Sequence, residues 1–165
     1  MVVGDLASVA ADAVVRPANG NLEAITPALR RLEVAAGPSF QRFCRAQREL
    51  GVGAAVVTPA GDLAVELVVH AVVMTRMEPV TVTGVRRAAE SALRQATQWH
   101  IGTLALPPLG TGPGQLPVED AAGALLDVVW AHGRSADLPS TIVVVVETDA
   151  ERDIFEAKLA GGRPS

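Results

Sequence analysis

The run Ile142-Val143-Val144-Val145-Val146 constrains the fold of this chain more than any other stretch. Consecutive β-branched side chains favour extended backbone. Without polar alternation they give the strand two apolar faces, and a strand of that kind suits the middle of a sheet covered on both sides. The remaining sequence offers the covers, because short apolar runs alternate with longer amphipathic ones. Strands are expected at Ala11–Val15, Ala54–Thr58, Glu66–Val73, Thr103–Leu106 and Ser140–Glu147. Helices are expected at Ile25–Val34, Ser39–Leu50, Thr83–Trp99, Val118–His132 and from an Asp149 cap through Leu159. Pro17 with Asn19-Gly20-Asn21 reads as the end of the first strand, and Gly37-Pro38 as a helix break. Val85, Ala88, Ala92, Ala96 and Trp99 form one apolar stripe. Strands alternating with helices predict an α/β layered fold with a mixed, mostly parallel sheet.

The second informative stretch is Leu106-Pro107-Pro108-Leu109-Gly110-Thr111-Gly112-Pro113-Gly114-Gln115-Leu116-Pro117, between a strand and a helix. Gly110, Gly112 and Gly114 let the backbone turn sharply and approach a ligand. The helix opening at Pro117 directs its unpaired N–H groups back toward that turn. Such a turn holds an anion without a basic side chain. No Lys-Ser/Thr follows the glycines, which excludes the triphosphate P-loop. A dinucleotide fingerprint needs a third glycine where Gln115 stands, and needs the first strand rather than a late one.

Composition narrows the partners. The 165 residues suffice for one domain, read as 1–160 with a loose tail at 161–165. A net charge of −4 with scattered arginines argues against nucleic acid, whose non-specific binding comes from phosphate neutralisation. A single cysteine, Cys44, excludes an internal disulfide and fits a reducing compartment. No apolar run spans a bilayer and the first residues do not form a signal peptide, so the reading is cytoplasmic, without a membrane partner. Three histidines and one cysteine show no metal-ligand spacing. No Gly-x-Ser-x-Gly is present. His70 reads as a core histidine, Cys44 as a buried apolar residue beside Phe43 and Phe40, and Glu119-Asp120 as first-turn helix charges.

Several segments, in order, resemble the macro domain, the ADP-ribose-binding module. Gly4-Asp5-Leu6 is similar to the family's opening Gly-Asp-Ile/Leu, and Asp12-Ala13-Val14-Val15-Arg16-Pro17-Ala18-Asn19 to its Asp-Ala-Ile-Val-Asn-x-Ala-Asn. Gly53–Pro59 with Ala60-Gly61-Asp62-Leu63, then Val68-Val69-His70-Ala71, resemble its Thr-x-Ala-Gly-x-Leu and Val-Ile-His-Ala segments. Leu106–Gly112 resembles its Phe-Pro-x-Leu-Gly-Thr-Gly. The resemblance implies a three-layer α/β/α fold with a ligand cleft at one end of the strands, and no cofactor. It implies that Asp5 accepts from an adenine amino group beside the Leu6 backbone, and that Asn19 contacts the distal ribose. It further implies that Gly110, Thr111, Gly112, Pro113, Gly114 and Gln115 wrap a diphosphate, and that Val146 borders the adenine.

The departures are specific. The family's first glycine-rich loop is here Leu22-Glu23-Ala24-Ile25-Thr26-Pro27-Ala28-Leu29-Arg30, without a glycine. β-Branched Ile25 and Thr26 resist positive φ, and Pro27 removes a donor. Arg30 reads as a solvated helix charge, with a phosphate contact as the alternative. Arg16 replaces the first asparagine of the pair, Gln115 a glycine, and no tyrosine is available to stack on a ribose or adenine. Only three residues precede Gly4-Asp5, so the first strand is expected to be absent or to begin upstream. Three functional classes follow: a non-catalytic reader of ADP-ribose, a related nucleotide or an ADP-ribosylated protein; an ADP-ribosyl hydrolase using Asn19; and a degenerate fold kept for protein contact. The altered loop favours binding over turnover.

Overall fold

A six-stranded sheet in the order β1-β6-β5-β2-β4-β3 forms the middle layer of the computed structural model, which describes residues 1–112 and 115–162. Its strands are β1 (Val2–Val3), β2 (Ala13–Asn19), β3 (Ala55–Pro59), β4 (Leu67–Met74), β5 (Thr103–Leu106) and β6 (Thr141–Val146). All neighbours run parallel except the β3–β4 pair, so the sheet is mixed. The β-branched run becomes β6, flanked by β5 and the two-residue β1; Val144, Val145 and Val146 are buried while Thr141 is exposed. The first strand is thus present at Val2–Val3, in register with Val145 and Val146. Pro113, Gly114 and the tail from Arg163 lie outside the described residues.

Helices cover both faces, giving three α/β/α layers. On one side lies α1 (Pro27–Ala46), whose Leu32, Ala36, Phe40 and Cys44 pack on Val14, Val68, Val72 and Val145. On the other lie α2 (Val82–Gln98), α3 (Val118–Gly133) and α4 (Asp149–Ala160), which contributes Phe155. Gly37, at φ 87°, breaks α1 into two segments where Gly37-Pro38 predicts it.

Three expectations shift. Pro17 does not end β2, which continues to Asn19. β5 pairs only with Ala13 and Val14, so from Val15 onward β2 has one neighbour, and a residue without a donor is tolerated there. Trp99 leaves the apolar stripe because α2 ends at Gln98, and its side chain is exposed. Thr148, not Asp149, caps α4, its hydroxyl accepting from the Glu151 N–H at 3.1 Å.

Candidate ligand cleft

The carboxyl ends of the parallel strands β2, β5 and β6 open into one cavity of about 350 Å³, at the small end of ligand-pocket volumes. Its walls come from loops that the topology gathers there. Gly4 and Leu6 follow β1; Pro17 is in β2; Ile25 to Leu29 enter α1; Pro107, Pro108 and Gly110 to Gly112 follow β5; Val118 opens α3; Val145 is in β6, and Glu147 and Glu151 come after it.

The glycine turn is tied down internally. The Gly110 carbonyl accepts from the Leu116 N–H at 2.9 Å, and the Gly112 carbonyl from the Gln115 N–H at 3.1 Å. Two oxygens that would repel a phosphate are thus consumed inside the loop. Gly110 has φ 78°, and a methyl group there would lie 2.6 Å from Val85 Cγ2 and 2.7 Å from Val80 Cγ1, so neither backbone nor space admits a side chain. The Gln115 amide, assigned from its hydrogen-bonding surroundings, donates to the carbonyls of Gly110 at 3.3 Å and Thr111 at 3.1 Å. That pairing outweighs the alternative orientation, an N–H to Met74 Sδ at 3.9 Å. Gln115 therefore braces the turn.

The glycine-free stretch that resembles the family's first loop ends as a capped helix. Thr26 Oγ1 accepts from Leu29 N–H at 3.2 Å, and the Thr26 carbonyl from Arg30 N–H at 3.0 Å. With Pro27 lacking a donor, the first turn keeps the Ala28 N–H without a partner among the described residues, and Ala28 lines the cavity. At the other helix start Pro117 provides no side-chain cap; its carbonyl takes the Asp120 and Ala121 N–H groups, both at 3.1 Å, and the Val118 and Glu119 N–H groups have no partner among the described residues. Two helix N-termini thus meet the glycine turn at one cavity, a favourable setting for an anion.

The far end has the opposite character. Glu147 and Glu151 line it with Leu6 and Val145, and Arg31 reaches across from α1 to Glu147 at 3.2 Å. Both partners are more than half exposed, so this pair contributes little stability.

Behind Pro17 lies a buried polar chain. Arg16 is fully enclosed; Nη1 donates to the Leu22 carbonyl at 2.9 Å and to His70 Nδ1 at 3.2 Å, and Nη2 pairs with Glu33 at 2.9 Å. Arginine only donates, so Nδ1 accepts and the His70 proton sits on Nε2, 2.9 Å from Thr58 Oγ1. Burial, then the neighbouring guanidinium, pushes His70 down to about 3. Burial raises the Cys44 thiol, consistent with an apolar role. Arg16 thereby clamps Leu22, whose φ is 58°, and holds the chain leading into α1.

Of the residues singled out in the sequence, Leu6, Gly110, Thr111 and Gly112 line the cavity. Asp5 is exposed next to it, one carboxylate oxygen accepting from Ala7 N–H at 3.0 Å. Asn19 Oδ1 accepts from the N–H groups of Asn21 at 3.1 Å and Glu23 at 2.9 Å, which makes it a loop brace. Val146 is fully buried in the core on the α2–α3 side, and the alternation of β6 gives the cavity Val145 instead. Pro113 and Gly114 lie outside the described residues. Sequence reading missed Arg31, Glu147 and Glu151; the place of Glu147 directly after the β-branched strand was the available signal.

Fold and cleft together define an α/β/α protein with a cavity at its strand ends. The sequence matches the Macro domain family over residues 15–125, and the chain belongs to that family. An O-acetyl-ADP-ribose deacetylase of Enterobacter is 30% identical, over 96% of this chain and 92% of that protein. An uncharacterized Mycobacterium tuberculosis protein is 32% identical over 96% of this chain. The chain spans only 44% of that relative's length. Among solved structures, an Oceanobacillus iheyensis macrodomain mutant with ADPR superimposes with a TM-score of 0.88 at 21% identity, covering 96% of this chain and 90% of that one. A Trypanosoma brucei macrodomain in complex with ADP-ribose gives 0.80 at 18% identity, covering 92% and 64%. Among the described residues, no helix is long and apolar enough to cross a membrane.

Proposed function

We propose that this chain binds ADP-ribose or a related adenine nucleoside diphosphate, without efficient turnover. The observation that carries this reading is the convergence of the Gly110–Gly112 turn with the starts of α1 and α3 on one cavity. The diphosphate would lie against the free N–H groups there, at no cost in buried cationic side chains. The base would lie between Leu6 and Val145, with the second Asp5 oxygen accepting from its amino group. Bound ADP-ribose and ADP in macrodomains of the same fold support the ligand class.

Titration calorimetry with ADP-ribose, ADP and AMP tests it. Saturable binding that weakens at least about tenfold in Asp5→Ala is expected, the loss of one charge-assisted hydrogen bond. Silence from all three ligands would refute the reading.

The deacetylase relative favours a second reading, hydrolysis of O-acetyl-ADP-ribose or of ADP-ribosylated side chains. In that reading Asn19 would orient substrate and water with its amide nitrogen, since its oxygen is already engaged. Incubation with O-acetyl-ADP-ribose and measurement of released acetate separates the two: product formed at a rate lost in Asn19→Ala supports hydrolysis, and no product leaves binding alone.

A further inference from the structure

A ligand that carries a purine needs a surface for the flat face of its ring, and planar side chains supply one well. Among the described residues, no aromatic ring lines the cavity. The chain has no tyrosine. Phe40 and Phe155 are fully enclosed in the core layers on either side of the sheet, and Trp130 packs against the α2–α3 side. Phe43, on the second half of α1, and Trp99, just after α2, are exposed. The planar side-chain groups that do line the cavity are the Arg31 guanidinium and the carboxylates of Glu147 and Glu151. The π-face of a base is electron-rich, so it repels a carboxylate and attracts a guanidinium.

The fold fixes where that guanidinium stands. Glu151 Oε1 accepts from the Glu147 N–H at 3.3 Å and from the Thr148 hydroxyl at 3.4 Å, so the start of α4 holds the backbone at Glu147. Glu147 Oε1 in turn accepts from Arg31 Nη2 at 3.2 Å. One residue earlier, the Val146 carbonyl accepts from the Gly4 N–H at 2.9 Å, which brings the chain at Asp5 and Leu6 alongside. Guanidinium N–H groups lie in the plane of the group, so the bond to Glu147 leaves both of its flat faces uncovered. Among the described residues, Arg31 makes no other hydrogen bond or ion pair, and no aromatic ring lies against it. The pair adds little to folding, yet it crosses the end of the cavity that the binding reading gives to the base.

We infer that Arg31 is the stacking platform for the base of the bound nucleotide, with Glu147 holding it in place. Leu6 and Val145 supply the apolar contact beside it. Glu147 already answers the charge of Arg31, so the guanidinium serves the base as a flat surface and leaves the phosphates to the glycine turn. Stacking is tolerant of base identity. Arg31 therefore supplies affinity, and choice among bases falls to edge contacts such as that of Asp5. The inference rests on the binding reading above and adds one residue to it.

The test is calorimetry with ADP and ADP-ribose on the full chain, in wild type and in Arg31→Ala, Arg31→Phe and Arg31→Lys. Melting temperatures establish that the variants are folded, which the exposure of the pair favours. Arg31→Ala is expected to weaken both ligands about tenfold. Arg31→Phe keeps a flat face without charge and is expected to stay within about threefold of wild type. A loss of less than about threefold in Arg31→Ala overturns the inference and leaves the nucleotide-binding reading intact. Arg31→Phe falling as far as Arg31→Ala overturns it as well; if Arg31→Lys then retains affinity, the side chain serves a phosphate instead. Silence from both ligands in the wild type takes the inference down together with the binding reading.

Discussion

Acidification should destabilise this protein through one side chain, His70. Its imidazole is fully buried, receives a hydrogen bond from Arg16 on Nδ1 and faces Thr58 through Nε2, so a second proton would place two cations side by side without solvent. The folded-state value is depressed to about 3, from 6.5 for the free side chain. The unfolded chain therefore takes up its proton first. The stability contributed by neutral His70 is complete above pH ~6.5 and is lost as pH falls from there toward ~3. One proton gives a slope of about 1.4 kcal/mol per pH unit, which amounts to about 2 kcal/mol between pH 7 and pH 5. Urea unfolding at those two pH values and constant ionic strength measures it. The control is His70→Gln, whose amide offers an acceptor to Arg16 and a donor to Thr58 without titrating. Wild type should lose about 2 kcal/mol over that interval and the variant much less. Equal losses in both, or a flat wild-type profile, would refute the assignment of the acid sensitivity to this histidine.

Other consequences follow from single contacts. Gly110→Ala should cost about 3 kcal/mol in urea unfolding, combining left-handed strain with overpacking against Val80 and Val85; Gly133→Ala, at the end of α3 with nothing within 4 Å of the added methyl, should be neutral or stabilising by up to about 1 kcal/mol. Glu33→Ala leaves buried Arg16 without its carboxylate and should cost about 2 kcal/mol, less than a fully enclosed pair because Glu33 remains partly exposed. Arg31→Ala should shift the unfolding free energy by less than about 0.5 kcal/mol, since the Arg31–Glu147 pair is solvated; a larger loss would show that it latches α1 to the end of β6.

Much of the fold was legible because its signals are local. The β-branched run made β6, Thr103–Leu106 was placed to the residue, and Gly37-Pro38 broke α1 where expected. The cleft was legible only in part. The Gly110–Gly112 turn declared itself through glycines whose φ values, 78° and 142°, other residues resist. Arg16 gave no such signal. It stood out only as a charged residue where the resembling motif has asparagine, whereas the fold encloses it completely among Leu22, Glu33 and His70.

The amino-acid sequence by itself determined most of the strand and helix segments, the break at Gly37-Pro38, and that a glycine turn precedes a helix. Each of these depends on side chains a few positions apart. Tertiary structure alone decided that Val145 rather than Val146 faces the cavity, that Arg31 meets Glu147 across 116 positions of chain, and that Thr26 and Gly112 line one cavity. Those outcomes follow from strand order and register, which bring distant segments together to within ångströms. A shift of one residue in β6 would have exchanged the faces of every valine in it.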